Sequence, residues 1–142
     1  MMNDFNKIKK YIPQREPMIM VGDLLSYEET IAKSSFVIDE DNIFVKDGRF
    51  SEAGLLENMA QTAALGKGYE FSLLHKAVPL GFIGGVRNFV VKAIPKVNDE
   101  LQTIITVKHK MMNVTMADAQ VFVDDVLQAS CELKIFINPE TS

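Results

Sequence analysis

The sequence predicts an α+β domain in which an antiparallel sheet covers one long buried helix. Residues 51–66 have apolar or small side chains on nearly every side when read at helical spacing, which is typical of a buried helix. Segments with alternating apolar and polar residues lie on both sides of it in the chain. The last three of these segments are separated only by short turns, which favours an antiparallel meander. We find no linker or internal repeat, so we expect one domain over residues 1–142.

The part of the chain before the helix is predicted to contain a short helix and a β-hairpin. Pro13 ends the short helix because proline cannot continue one. Ser51 is a favourable N-cap for the central helix. The elements expected here are a helix over 4–11, a stiff loop with prolines at both ends over 12–17, strands over 22–27 and 31–38, and a polar connection over 39–50.

The part after the helix is predicted to supply most of the sheet. Gly66 and Gly68 weaken helical structure, so we expect the helix to fray from Gly66 to His75. A second block of strands is expected to begin at Pro79. The strands expected there cover 81–91, 101–111, 117–123 and 127–137.

Composition and charge exclude several classes of protein. The chain has no long uncharged apolar run, so no membrane span is expected. Its net charge of −4 and the lack of a basic run argue against nucleic-acid binding. The N-terminus lacks the pattern of a signal peptide, and a single cysteine cannot form an internal disulfide, so we expect a cytoplasmic protein. Cys131 alternates with core residues and is interpreted as a packing residue.

An acidic residue within the apolar helix is the first candidate for function. Glu57 and Gln61 are four residues apart and therefore lie side by side, with Gly54 one turn earlier. An acid removed from water normally requires a partner, and proteins seldom bury one without a use. The alternative is that Glu57 emerges at the helix edge into solvent, but few exposed helices are apolar on their other sides.

Three segments of the sequence resemble a known family. They are Ile12-Pro13-Gln14-Arg15-Glu16-Pro17-Met18, Glu57-Asn58-Met59-Ala60-Gln61-Thr62-Ala63-Ala64 and Gly81-Phe82-Ile83-Gly84-Gly85-Val86-Arg87-Asn88-Phe89. In this order they resemble the hotdog-fold 3-hydroxyacyl-ACP dehydratases of the FabZ type. The chain looks closer still to the divergent branch associated with aryl-polyene and related pigment synthesis.

The resemblance implies a fold, an assembly and a reaction. The hotdog fold wraps a curved antiparallel sheet around a central helix. Two protomers would pair as a homodimer, or as a heterodimer with a paralogue, and acyl tunnels would lie at the interface. The substrate would be an acyl thioester on acyl carrier protein or coenzyme A, and we expect no metal or other cofactor.

The resemblance also implies roles for individual residues. Glu57 matches the family's catalytic carboxylate, and Gln61 would hold it in orientation by a hydrogen bond. Backbone N–H groups near Gly54, or at Gly84 and Gly85, would point at the thioester oxygen, since such donors favour developing negative charge.

The sequence departs from the family pattern at two positions. Gln14 stands where the family usually carries a histidine in the proline-flanked loop, and Arg49 stands in place of the histidine of a Gly-His-Phe-Pro motif. Neither side chain titrates near neutral pH. The chain's two histidines are His75, expected in a loop, and His109, on the apolar row of its strand. His109 is interpreted as a core residue or, if that row faces the tunnel, as a substitute for the missing histidine.

Three functions therefore remain open. One is an acyl-thioester dehydratase with Glu57 as its principal group, and another is a hotdog thioesterase that uses the same carboxylate. The third is a catalytically impaired subunit that binds acyl chains and supports a paralogue.

Arg15 and Arg87 are expected in surface ion pairs. If an acidic carrier protein binds, Arg15, Lys92 or Lys96 would meet it.

Overall fold

The computed structural model describes residues 3–78 and 81–137, so the expected strand start at Pro79 lies outside the described residues. In this described part, a short 3₁₀ helix lies near the N-terminus, and one long α-helix packs against six strands. The elements are the 3₁₀ helix Phe5–Lys7, β1 Asp23–Glu28, β2 Ile31–Val37, α1 Glu52–Leu73, β3 Gly81–Val91, β4 Glu100–Met111, β5 Val114–Val123 and β6 Val126–Ile137.

The six strands form one antiparallel sheet that packs against α1. Their order across the sheet is β1-β2-β4-β5-β6-β3, and each neighbouring pair is antiparallel. Helix α1 packs across the width of the sheet, from the edge strand β1 to the edge strand β3. A curved antiparallel sheet around one long helix is the hotdog architecture, so the fold predicted from the sequence is confirmed.

The strand alternation seen in the sequence corresponds to burial against α1. In β2, Ala32, Ser34 and Phe36 face inward, and in β4 the inward residues include Leu101 and Ile105. Because successive side chains of a strand point to opposite faces, the buried side chains of β2 and β4 share the face of the sheet that packs against α1. The inward residues of β5 and β6 are Ala117, Ala119, Val121, Ala129, Cys131 and Leu133.

The expectation for His109 was wrong, since this side chain is exposed. A β-bulge between Val107 and His109 shifts the pairing of β4 with β5, so that Val107 pairs with Ala117 but His109 pairs with Met116. One extra residue in a strand reverses which face the following side chains occupy. His109 therefore leaves the apolar row and faces solvent.

Helix α1 does not fray at its glycines, contrary to the sequence expectation. It continues through Gly66 and Gly68 to Leu73, and both glycines are buried. A Cβ at Gly66 would lie 2.9 Å from the Cβ of Ala32, and one at Gly68 would fall on the Tyr11 carbonyl. The glycines let the helix approach β2 and the N-terminal segment closely, and this packing outweighs their low helix propensity.

The N-terminal helix is shorter than expected. Only Phe5–Lys7 is helical, and turns follow up to Tyr11. Ile8 and Ile12 are buried, and they pack with Ile19, Val21 and Leu65 in a second apolar cluster. Packing of these two side chains against the centre of the molecule therefore replaces the regular helix that their spacing predicted.

Candidate active site

The buried amide of Gln61 joins α1 to the segment 18–20. Its Oε1 accepts a hydrogen bond from the Met20 N–H at 2.6 Å, and its Nε2 donates to the Met18 carbonyl oxygen at 2.8 Å. A backbone N–H needs an acceptor and a carbonyl needs a donor, so these two partners determine which way the amide is turned. The Gln61 side chain is therefore held in one orientation.

The second N–H of the same amide is directed at Glu57. Gln61 Nε2 donates to Glu57 Oε2 at 2.9 Å, one helical turn away. Glu57 is partly buried, so the carboxyl group is neither enclosed in the core nor extended into solvent. Since both of its N–H groups and its oxygen are used, Gln61 holds the carboxyl group in a defined position.

A second buried amide, Asn58, strengthens the attachment of the same segment. Its Nδ2 donates to the Met20 carbonyl oxygen at 2.7 Å, and its Oδ1 accepts from Thr103 Oγ1 at 2.5 Å. Sequence reasoning did not single out Asn58. The signal was present, because Asn58 and Gln61 are amides at positions of α1 that are otherwise apolar, and buried amides require partners.

A cleft of about 530 Å³, which we call the α1 cleft, opens beside Glu57. It follows α1 from Glu57 to Gly68, a length of about 16 Å at 1.5 Å of helix rise per residue. Most of its other lining residues are small or apolar. They include Ala60, Ala63, Ala64, Val78, Ile83 and Ile135. An apolar cleft with a few polar groups at one position is typical of a small-molecule site.

Gln14 lines the same cleft as Glu57. Its Oε1 is buried and has no hydrogen-bond partner among the described residues. Leaving a buried oxygen without a partner costs free energy, so such an atom in a cleft marks a place where a ligand or water would bind. The structure therefore brings together Gln14, Glu57 and Gln61, three residues that the sequence had singled out.

Arg15 shapes the loop that carries Gln14. Its guanidinium donates to the carbonyl oxygens of Ile12 at 2.9 Å, Gln14 at 2.7 Å and Lys9 at 3.2 Å. The expected surface ion pair of Arg15 was therefore wrong, because the loop turns its carbonyl groups toward the guanidinium. The other expected pair is present, since Arg87 lies 3.7 Å from Glu132.

The glycines expected to supply backbone donors lie at the start of α1 and in β3. The Gly54 N–H donates to Ser51 Oγ at 3.1 Å as part of the helix cap, and a Cβ at Gly54 would lie 2.5 Å from the Phe50 ring. Gly84 and Gly85 lie at a bulge in β3, next to a residue that lines the α1 cleft. The Gly54 amide is thus already used by the cap, and a contact of Gly84 or Gly85 with substrate stays a prediction.

No histidine lies among the described residues that line the α1 cleft. Arg49, at the second histidine position of the family, is exposed, and its backbone bridges to Lys46 and Lys96. Both His75 and His109 are exposed. Glu57 is therefore the acidic residue that the described part of the cleft offers for proton transfer.

A polar network that sequence reasoning missed lies farther along α1. Glu70 accepts hydrogen bonds from Tyr27 Oη at 2.7 Å and from Lys67 Nζ at 3.1 Å. Burial raises the pKa of Tyr27 and lowers the pKa of Lys67. Burial alone would raise the pKa of Glu70, but the hydrogen bonds from Tyr27 and Lys67 lower it. Lys67 also lines the α1 cleft, which therefore has an ammonium group in its wall.

Cys131 is a packing residue, as the sequence predicted. It is buried, with its Sγ 3.8 Å from Met59 Sδ, and burial raises the pKa of its thiol to about 11. A thiol that stays protonated at neutral pH is a poor nucleophile. We therefore assign it no role in the site.

A comparison with protein families determines where the chain belongs. The model of the ApeP-like family, described as ApeP dehydratase, matches residues 6–142. The chain belongs to the ApeP-like dehydratase family. A curated relative of this ApeP-like chain is the 3-hydroxyacyl-[acyl-carrier-protein] dehydratase FabZ of Ligilactobacillus salivarius. The two are 26% identical, and the match covers 96% of this chain and 99% of the relative.

Several solved structures share the fold of this chain. The dehydratase heterocomplex ApeI:P from Xenorhabdus doucetiae matches with a TM-score of 0.86 and 15% identity, over 94% of this chain and 93% of that one. A hypothetical thioesterase from Streptococcus pneumoniae with coenzyme A matches with a TM-score of 0.67 and 10% identity, over 82% and 87%. These structures show the fold, and the match to the ApeP-like family model confirms the resemblance to dehydratases seen in the sequence.

Within the described residues, α1 and the other helical segment are too short or too polar to cross a bilayer.

Proposed function

We propose that the protein dehydrates 3-hydroxyacyl thioesters carried on acyl carrier protein, with Glu57 as the group that transfers the proton. The observation that carries this proposal is the position of Glu57, whose carboxyl group borders the α1 cleft while Gln61 holds it from the side. A general base must be oriented and must reach the substrate, and Glu57 meets both conditions. Membership of a dehydratase family supports the same reaction.

The elimination needs one proton to be moved from carbon to oxygen. The Glu57 carboxylate takes a proton from C2, and the electron pair of that C–H bond forms the C2–C3 double bond. The C3–O bond breaks with its electrons, and the departing hydroxide takes a proton from the carboxyl group to leave as water. One carboxyl group can therefore serve both halves of the step and is regenerated at its end.

Gln14 would orient the substrate in this reaction. Its unpartnered Oε1 faces the same cleft as Glu57 and would accept a hydrogen bond from the 3-hydroxyl group. That bond would fix C3 relative to the carboxyl group, which is a positional contribution to the rate. A side-chain amide does not titrate near neutral pH, so Gln14 is proposed to bind substrate and not to replace the family histidine as an acid or base.

The α1 cleft would hold the acyl chain. Its wall near Glu57 is made of Ala60, Ala63 and Ala64, whose small side chains leave room beside the helix. The cleft follows α1 for about 16 Å, which would let an acyl chain lie extended beside the helix. Fatty-acyl and polyene chains both fit this shape.

An assembly of two hotdog subunits is proposed to complete the site. Strand β3 lies at one edge of the sheet and pairs only with β6 among the described strands. A free strand edge is a ready template for pairing with another chain. A second copy would make a homodimer, and the similar ApeI:P heterocomplex suggests pairing with a second dehydratase subunit instead.

The cytoplasmic location expected from the sequence stays a prediction.

A specific observation favours a second candidate function, that of a subunit supporting an active paralogue. The described cleft lining contains no histidine, so this chain would bind acyl chains while its partner supplies the chemistry. Thioester hydrolysis is the weaker alternative, because the similarity to the thioesterase structure shows the fold alone.

The three functions predict different products from one incubation. Purified protein is given 3-hydroxyacyl-ACP, and the enoyl thioester and free thiol are measured separately, alone and with a second hotdog dehydratase subunit. Enoyl product from this chain alone supports the proposal, and thiol release supports the thioesterase. Enoyl product that appears only in the mixture, and is insensitive to Glu57→Gln in this chain, supports the subunit role.

A further inference from the structure

The loop that carries Gln14 is short of hydrogen bonds between backbone groups. Pro13 has no N–H group, and within the described part of the chain no backbone N–H donates to the carbonyl oxygen of Ile12 or of Gln14. Carbonyl groups need donors, so a loop with this pattern keeps one conformation when side chains supply them.

One guanidinium group supplies those donors. Arg15 Nη1 donates to the carbonyl oxygens of Ile12 at 2.9 Å and Gln14 at 2.7 Å, and Nη2 donates to that of Lys9 at 3.2 Å. These acceptors lie on both sides of Pro13 in the chain. Because a guanidinium is planar and its N–H groups point in fixed directions, it fixes the three carbonyl groups relative to one another.

The backbone held in this way determines where the Gln14 side chain points. Gln14 lines the α1 cleft, and its buried Oε1 has no hydrogen-bond partner among the described residues. No bond of this oxygen therefore holds the side chain in the cleft. Its position depends on the backbone from which it extends, and Arg15 holds that backbone.

Arg15 also connects the loop to the support of Glu57. The Arg15 carbonyl oxygen accepts from the Met18 N–H at 2.8 Å, and the Met18 carbonyl oxygen accepts from Gln61 Nε2 at 2.8 Å. The same Gln61 nitrogen donates to Glu57 Oε2 at 2.9 Å. A continuous series of hydrogen bonds therefore runs from the loop to the carboxyl group, and it fixes Gln14 relative to Glu57.

We propose that Arg15 is a positioning residue that gives the site its preference for ligands with a 3-hydroxyl group. It holds the loop so that Gln14 Oε1 accepts a hydrogen bond from this hydroxyl group while the reacting carbon lies at Glu57. Without the guanidinium the loop is free to move, so the hydroxyl group loses its partner while the rest of the ligand binds as before. This role rests on the proposed function, but it concerns recognition of the hydroxyl group and not proton transfer.

Binding of two carrier-protein ligands tests this role without turnover. Each ligand is an acyl carrier protein that holds its acyl chain through an amide in place of the thioester, and one chain has the 3-hydroxyl group that the other lacks. An amide makes the C2 proton far less acidic than a thioester does, so neither ligand is consumed. The preference is the ratio of the two Kd values.

Two single variants and their combination should give the same loss of preference. Gln14→Ala should lower the ratio about tenfold, the size of one lost hydrogen bond. Arg15→Ala should lower it about as much and leave the Kd of the ligand without the hydroxyl group unchanged. The double variant should lower it no further, because both residues act through one bond to the ligand. Arg15→Lys keeps an ammonium donor and should show a smaller loss, which provides a second variant if Arg15→Ala folds poorly.

The matched control is Glu16→Gln, in the same loop. Glu16 is exposed and lies 2.9 Å from the Lys9 ammonium group, and it does not bind the carbonyl groups that Arg15 holds. Its replacement should therefore leave the ratio unchanged.

Several results would overturn the role of Arg15. Equal weakening of both ligands by Arg15→Ala would mean that Arg15 contacts the carrier protein or only stabilises the fold. Additive losses in the double variant would separate Arg15 from Gln14, and a wild-type ratio near one would remove the hydroxyl contact altogether. A preserved preference in a protein that forms no enoyl thioester would support the role of Arg15 and contradict the proposed reaction alone.

Discussion

Gln61 Nε2 lies 2.9 Å from Glu57 Oε2, and the same amide is bound to the backbone of Met18 and Met20. The proline-flanked loop and the carboxyl group of the site are thus positioned by one side chain. Because that side chain has no unused donor, it cannot turn away from Glu57 without breaking a bond to the loop. Stability and activity should therefore both depend on Gln61.

Replacement of Gln61 should lower stability and activity together. Gln61→Leu leaves the Met20 N–H and the Met18 carbonyl oxygen without partners, so the free energy of unfolding should fall by about 2–4 kcal/mol. Gln61→Glu can still accept from the Met20 N–H, but it loses the donors to the Met18 carbonyl oxygen and to Glu57 and buries a second carboxyl group beside Glu57, so it should also lose both stability and activity. Urea unfolding and kcat for enoyl formation measure the two quantities. Full activity in Gln61→Glu would contradict a positioning role.

Replacement of Gln14 should affect the reaction and not the fold. Its Oε1 has no partner among the described residues, so Gln14→Ala removes no protein hydrogen bond made by that atom. We expect a change in the free energy of unfolding below about 1 kcal/mol and a fall in kcat/KM of about tenfold, the usual size for one lost substrate hydrogen bond. An unchanged kcat/KM with full-length substrate would remove Gln14 from the site.

Filling the α1 cleft should change the preference for chain length. Ala60 lies one turn from Glu57 on the cleft wall, and Ala60→Leu would occupy space there. We expect kcat/KM for long acyl chains to fall about tenfold more than for short ones, since the added side chain blocks the distal part. The control is Ala53→Leu, at an exposed position of the same helix, which should leave the ratio unchanged. Equal losses for long and short chains would place the acyl group elsewhere.

The Glu70 network predicts a dependence of stability on acid pH. Its hydrogen bonds from Tyr27 and Lys67 lower the pKa of Glu70 below the ordinary value of 4.5. A carboxyl group whose pKa is lower in the folded protein stabilises the fold at a pH above its pKa in the unfolded protein. This contribution is lost as the pH falls through its pKa in the folded protein. The wild-type free energy of unfolding should therefore drop below about pH 4.5, and less steeply in Glu70→Gln. Parallel pH curves for the two proteins would contradict this.

The sheet and the buried helix could be predicted because each depends on a local pattern. Alternation over a few residues determines which strand face is covered, and small or apolar residues on all sides of residues 51–66 indicate a buried helix. The contact between the Glu57 carboxylate and the Gln61 amide could also be predicted from a local pattern. Glu57 and Gln61 are four residues apart, so their contact follows from helical geometry alone.

The errors lie where distant contacts override local preference. Gly66 and Gly68 have low helix propensity, but their close approach to β2 and to the N-terminal segment keeps α1 continuous. His109 changes face because of a single bulge, which the alternation of the strand does not reveal. The partners of Gln61 at Met18 and Met20 are more than forty residues away in the chain, and no local pattern announces them.

The central claim is that Glu57 transfers the proton, and the rate of enoyl formation by Glu57→Gln tests it most directly. The variant keeps the size of the side chain and can still bond to Gln61, so it should fold with little change in thermal stability. Glu52→Gln, in the first turn of the same helix and exposed, is the matched control. We predict a loss of at least about a hundredfold in kcat for Glu57→Gln and none for Glu52→Gln. Enoyl formation at the wild-type rate by folded Glu57→Gln would contradict the claim.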